Sequence, residues 1–180
     1  MTRCTTRLVG CVGLLGLCLA GVAPSVARAD TGTVGLQVGA LAVTRDGATD
    51  LLPTLRAEAG LRLAGPLYGG AFLQGTAQAL PFSNAEVAGG LFATLRFDLP
   101  GVGLKLFASG EAGRISLPSD TQGSAGAWSA SAVGGVDVPI LDGKLWLDFR
   151  GAHTWLFDLS SPSIGPRAWS FSAGVSIPLD

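Results

Sequence analysis

Residues 54–64 read Thr54-Leu55-Arg56-Ala57-Glu58-Ala59-Gly60-Leu61-Arg62-Leu63-Ala64, and their side chains alternate in character with a period of two. Extended, the stretch puts Leu55, Ala57, Ala59, Leu61 and Leu63 on one face and Arg56, Glu58 and Arg62 on the other. Wound as a helix, the same charges would scatter around the axis. The period therefore predicts a strand whose two faces meet different surroundings.

The pattern recurs along the chain. In 86–99, Val87, Leu91, Ala93, Leu95, Phe97 and Leu99 oppose Glu86, Thr94, Arg96 and Asp98; in 102–113, Val102, Leu104, Leu106 and Ala108 oppose Lys105, Ser109 and Glu111. In 144–157, Leu145, Leu147 and Phe149 oppose Asp148 and Arg150, while in 167–179, Trp169, Phe171, Val175, Ile177 and Leu179 oppose Ser170, Ser172 and Ser176. Fainter alternation over 33–43, 67–79 and 126–138 brings the expected strands to eight.

The connections between them, 44–53, 65–66, 80–85, 100–101, 116–125, 139–143 and 158–166, alternate longer with shorter. Tight Pro/Gly turns thus fall at one end and polar, Ser/Asp-bearing loops at the other. The chain is poor in charge (14%), rich in glycine (27 residues) and of positive mean hydropathy, +0.45. Beyond residue 30 no run of 18 uninterrupted apolar residues occurs, which excludes a helical membrane protein. For an apolar chain without such a helix, the bilayer admits only a closed barrel, because every backbone polar group must be paired internally. The fold class expected is all-β: an eight-stranded antiparallel up-and-down transmembrane β-barrel, with short turns periplasmic and longer loops extracellular.

Residues 1–29 read as a signal peptide. Arg3 and Arg7 precede an apolar stretch, Pro24 follows it, and Ala27-Arg28-Ala29 offers a small-x-small cleavage site. The expected mature chain, 30–180, is a single barrel domain destined for the outer membrane of a Gram-negative cell. Its leader holds all three cysteines, Cys4, Cys11 and Cys18, so no disulfide or thiolate metal site is expected after cleavage. Leu8-Val9-Gly10-Cys11 is similar to a lipobox but precedes the apolar region it should follow, so lipidation is not expected. The leader carries Arg3, Arg7 and Arg28 and no acid; without it the 12 Lys+Arg become nine against 13 Asp+Glu, a net charge of −4. No basic patch points to nucleic acid.

Charges on the polar parity belong inside such a barrel. Arg56, Arg62, Arg96, Lys105 and Arg150 share that face with Glu58, Glu86, Asp98, Glu111, Asp137 and Asp148, close enough to balance for a paired network in the lumen. Gly60, Gly70, Gly90 and Gly135 leave room for the long side chains. Eight strands enclose space for side chains or one small ligand, so no general pore is expected. Trp128, Trp155, Phe157 and Trp169 have outward parity toward the loop ends, as an interfacial girdle would, whereas Trp146 has inward parity near the other end.

Strand lengths, alternating connections and the aromatic last strand Trp169-Ser170-Phe171-Ser172 give residues 33–179 a pattern that resembles the OmpA-type and OmpX-type barrel families. The resemblance implies a monomer among outer-membrane lipids, inserted by the barrel assembly machinery. Two features depart from those families. The chain ends Ile177-Pro178-Leu179-Asp180 instead of on an aromatic residue, and it carries no peptidoglycan-binding domain, so wall anchoring by that route is not expected.

Chemistry would have to pass through His153, the single histidine. Barrels that deacylate lipid A pair a histidine with serine and acid, but here Ala152, Thr154 and Trp155 flank it and the nearest serines, Ser160 and Ser161, lie in the next loop. One histidine and scattered carboxylates form no metal ligand set, and Val133-Gly134-Gly135-Val136 lacks the helix and Lys-Ser/Thr of a phosphate loop. No catalytic residue, cofactor or metal is expected. The role expected is structural or interactive: membrane integrity, adhesion or binding of a small apolar ligand, with Asp120, Asp158 and Arg167 exposed on the loops. Two alternatives stand beside it, a lipid-modifying enzyme using His153 and a soluble periplasmic barrel of lipocalin type. In the last, the apolar faces would turn inward.

Overall fold

The computed structural model describes residues 31–76, 86–119, 123–159 and 164–179. Among them stand β1 (Gly32–Arg45), β2 (Ala48–Ala64), β3 (Leu67–Thr76), β4 (Glu86–Leu99), β5 (Leu104–Ser119), β6 (Gly123–Ile140), β7 (Leu145–Phe157) and β8 (Ile164–Leu179), with one 3-10 turn at Leu141–Gly143. Each strand pairs antiparallel with its sequence neighbour, and β1 pairs with β8 from Gly32↔Leu179 to Arg45↔Ile164. The sheet is a closed barrel of eight strands with no free edge.

The parity question has a definite answer. Leu36, Val38, Leu55, Leu91, Phe149 and Phe171 point outward and are exposed, whereas Gln37, Glu58, Asp137 and Asp148 point inward and are buried. In water this would be inside out; a lipocalin-type barrel would show the reverse. An apolar exterior around a polar interior is what hydrocarbon surroundings favour.

The loop end differs from expectation. The connection expected over 44–53 is only Asp46-Gly47, with Arg45 paired to Ala48. Both residues have positive φ, +46° and +82°, the left-handed pair of a two-residue turn whose twist matches the strands it joins. Asp-Gly is the residue pair such a hairpin favours, and Pro53, the end of the expected connection, sits within β2 opposite Ala40. β5 and β6 likewise run past the expected loop 116–125, pairing out to Ser119↔Gly123, and β8 begins at Ile164, which puts Arg167 in a strand. Strands of 16 to 18 residues exceed the roughly 9–11 that cross a bilayer, so the sheet projects beyond an apolar belt on this side. At the other end, Gly65-Pro66 forms the tight turn expected, while the turn after β4 is four residues long, 100–103, with Gly101 and Gly103 both at positive φ. Val102, expected in a strand, lies in that turn. The signal peptide and its cleavage site, Asp120, Ser160, Ser161, the connection 80–85 and the side chain of Glu86 fall outside the described residues.

Candidate functional site

The interior has two layers, and inward parity builds both. Toward the turn end and the middle, β2 contributes Arg56 and Glu58, β4 Arg96, β5 Glu111, β6 Asp137, and β7 Asp148 and Arg150. Arg56 grips Glu111 with two nitrogens, Nη1 to Oε2 at 2.9 Å and Nη2 to Oε1 at 2.7 Å, and donates Nε to Glu58 at 3.2 Å. Arg150 grips Glu58 in the same two-pronged way, at 2.7 and 2.6 Å, and stands 3.6 Å from Asp148. Asp148 accepts from Ser176 Oγ at 3.2 Å and lies opposite Asp137 in the β6–β7 register. Arg96 Nε is 3.4 Å from Asp137. Seven charged side chains thus form one file, Glu111, Arg56, Glu58, Arg150, Asp148, Asp137 and Arg96, crossing the lumen.

Rings hold the guanidinium groups from the sides. Arg56 lies over Phe72 at 4.1 Å, Arg150 over Phe107 at 5.2 Å, and Arg96 between Tyr68 and Trp146 at 5.0 and 5.1 Å. Glycine makes room for rings in the lumen: a Cβ on Gly135 would stand 2.7 Å from Phe107 Cε1, and one on Gly70 would stand 2.6 Å from Cζ of a further inward ring, Phe92. With its amide oxygen facing the guanidinium, Gln37 accepts from Arg150 Nε at 2.7 Å.

Of the eleven charges expected in the lumen, the side chain of Glu86 lies outside the described residues and three stand apart from the file. Lys105 stacks on Trp146 at 4.3 Å and approaches Asp98 at 3.5 Å, but the Asp98 side chain is 81% exposed at the barrel mouth. Arg62, also exposed, donates Nε to Gly65 O at 2.7 Å and closes the β2–β3 turn. Their parity is inward, but the tight turns leave them at the rim. Sequence reasoning put Ser176 on the polar parity and Trp146 inward without joining either to the file, and it missed Gln37, Tyr68, Phe72 and Phe107, since polar and aromatic singletons carry little signal.

The second layer fills the loop end. Leu41, Val43, Leu52, Ile115, Leu156 and Ile164, with Ala88, Ala127 and Ala168, form one buried apolar cluster inside the barrel. Above it Arg45 approaches Asp50 at 3.7 Å. Between the layers lies a cavity of about 50 Å³, bordered by Ser129, Ser131, Thr154 and Ser170, with room for little more than water.

His153 points outward. Its ring packs edge-on against Trp155 at 4.6 Å and tilted against Trp169 at 4.2 Å, and its Nδ1 has no hydrogen-bond partner among the described residues. Its cross-strand neighbours are Ala132 and Trp169, and serines 129, 131, 170 and 172 point into the barrel. No nucleophile or acid stands beside it among the described residues.

This geometry has counterparts among solved structures. Neisserial surface protein A superposes with a TM-score of 0.65 at 15% identity, over 82% of this chain and 97% of that one. The fold is that of the small outer-membrane barrels. The N-terminal barrel domain of Pseudomonas aeruginosa OprF follows at 0.59 and 14% identity, covering 82% and 97%, and Ail, the attachment invasion locus protein of Yersinia pestis, at 0.58 and 11%, covering 84% and 100%. No family model matches the chain, and no curated protein matches it in sequence.

Proposed function

We propose that this chain is a sealed, non-conducting barrel of the outer membrane, exported by its N-terminal segment and inserted with the assembly machinery's help. Its role on this reading is structural or interactive at the cell surface, not transport. One observation carries it: the lumen is occupied by an ion-paired file in the middle and by a buried apolar cluster at the loop end. Such an interior supports the wall it fills and offers no path for solutes. The loop end then faces outward from the cell, and the strands projecting there supply a surface for adhesion or for stiffening the membrane.

The same reading makes the chain monomeric and free of catalysis. His153 serves as a girdle residue, and His153→Ala is expected to leave lipid A profiles unchanged. The deciding experiment pairs fractionation with electrophysiology. The protein should sediment with outer membranes and shift in mobility on heating, and in planar bilayers it should show no steady conductance. A soluble, unshifted band refutes the membrane assignment; sustained open-channel current refutes the sealed lumen.

A further inference from the structure

The lipid-facing side of β5 and β6 is unlike the rest of the belt. Outward positions there pair as Ala112↔Ala130, Gly110↔Ala132 and Ala108↔Gly134, a floor without a large side chain. A Cβ on Gly110 or Gly134 would meet nothing within 4 Å. The flanks are taller. Leu91 and Leu95 on β4, to either side of Ala93, pair with Ala112 and Ala108, while Trp155 and His153 on β7 pair with Ala130 and Ala132; opposite Gly134 stands Gly151, and there the wall passes to Phe171 on β8. Walls three strand spacings apart enclose a furrow about 14 Å wide, room for more than one acyl chain side by side.

The loop end of this furrow is cationic. Arg114 follows the Gly110, Ala112 parity on β5, is exposed, and pairs with Trp128 on β6. Around it opens a depression of about 470 Å³, lined also by Val87, Gly89, Ser116 and Gly126. An arginine offers forked donors suited to phosphate, and a neighbouring tryptophan holds the headgroup level.

Resting on the membrane reading above, we infer that β5 and β6 form a site for one phosphorylated, multiply acylated glycolipid of the outer leaflet. Its acyl chains lie in the furrow and a phosphate meets Arg114 in the depression. The loop-end position selects the outer leaflet, and the width favours a many-chained lipid over a two-chained one. No bond is made or broken; this is a binding site.

Native mass spectrometry tests it, on protein released from phosphatidylcholine nanodiscs doped with diphosphoryl lipid A or, separately, with phosphatidylglycerol. Wild type is expected to retain one lipid A. Arg114→Gln should lower retention about tenfold, as should Gly134→Leu, which fills the furrow without touching charge. Lys144→Gln, which removes an exposed cation at the opposite, turn end of the barrel, should change nothing. Each variant is first shown to shift on heating, so loss of the barrel is not mistaken for loss of the site. Equal retention by wild type, Arg114→Gln and Gly134→Leu overturns the proposal, and so does equal or preferred retention of phosphatidylglycerol. A wild type that never enters membranes fails the underlying reading instead.

Discussion

The two layers of the lumen solve one problem by opposite means. In the middle, four carboxylates and three guanidinium groups fill the barrel, bound by two-pronged hydrogen bonds and flanked by rings. At the loop end the same inward parity carries Leu, Val and Ile packed as in a soluble core. The ion-paired layer lies where the outside is apolar, so its members have no alternative solvent. The apolar layer lies level with the outward Trp128, Trp155 and Trp169, at the rim of the belt, and there burial from water supplies the driving force. An inward position therefore has no fixed chemistry in this barrel; its depth decides.

The contrast can be broken most severely in the middle. Glu58→Gln takes from Arg150 the carboxylate it grips with two nitrogens and from Arg56 its Nε acceptor, breaking a buried ion pair at its centre, and should destabilise by about 3–5 kcal/mol. The heat-shift midpoint on gels would show it. Replacing Glu58 and Arg150 together by Leu and Met should restore part of that loss, because a buried pair exchanged for packed apolar groups is often close to neutral.

In the apolar layer, Leu41→Ala should cost about 2–5 kcal/mol through lost burial and a cavity, measured by urea unfolding in detergent. A similar cost reached without any charge would confirm that the layers differ in means and not in importance. Thr94→Val removes the 2.8 Å hydrogen bond to Ser109 and should cost about 1 kcal/mol in the same assay. The smallest effect belongs outside both layers. Gly47→Ala places a Cβ at φ +82° in open space, costing about 1 kcal/mol or less by local strain alone.

Legibility in the sequence followed the same divide. Strands such as β2 and β4, where a charge alternates with Leu or Ala, announce their period and their two faces, while which face turns inward rests on the leader, the near-balanced charges and the girdle-like aromatics. Seven of the expected lumen charges do meet in one file. In β1, by contrast, Leu41 and Val43 point inward while Ala40 and Ala42 point outward. Both faces are apolar there, so alternation had no contrast to display and the loop-end cluster stayed hidden. Boundaries failed for a related reason: projecting strands lose the apolar outer face and read as polar loop, as 116–119 and 164–166 do. The Arg114 site was invisible because small outward residues acquire meaning only once their neighbours across the sheet are known.

The seam between β1 and β8 sets the order in which this molecule can come together. Seven of the eight strand pairs join sequence neighbours, but the eighth ties Gly32 to Leu179 across nearly the whole described chain. Local hairpins, led by the two-residue Asp46-Gly47 turn, can assemble early and independently. Until the seam zips, β1 and β8 each present a row of bare amides and carbonyls that hydrocarbon cannot satisfy. Penetration of the bilayer and zipping of the seam are therefore coupled events, and a fluorescent pair placed across β1 and β8 should report contact later than one placed across β1 and β2.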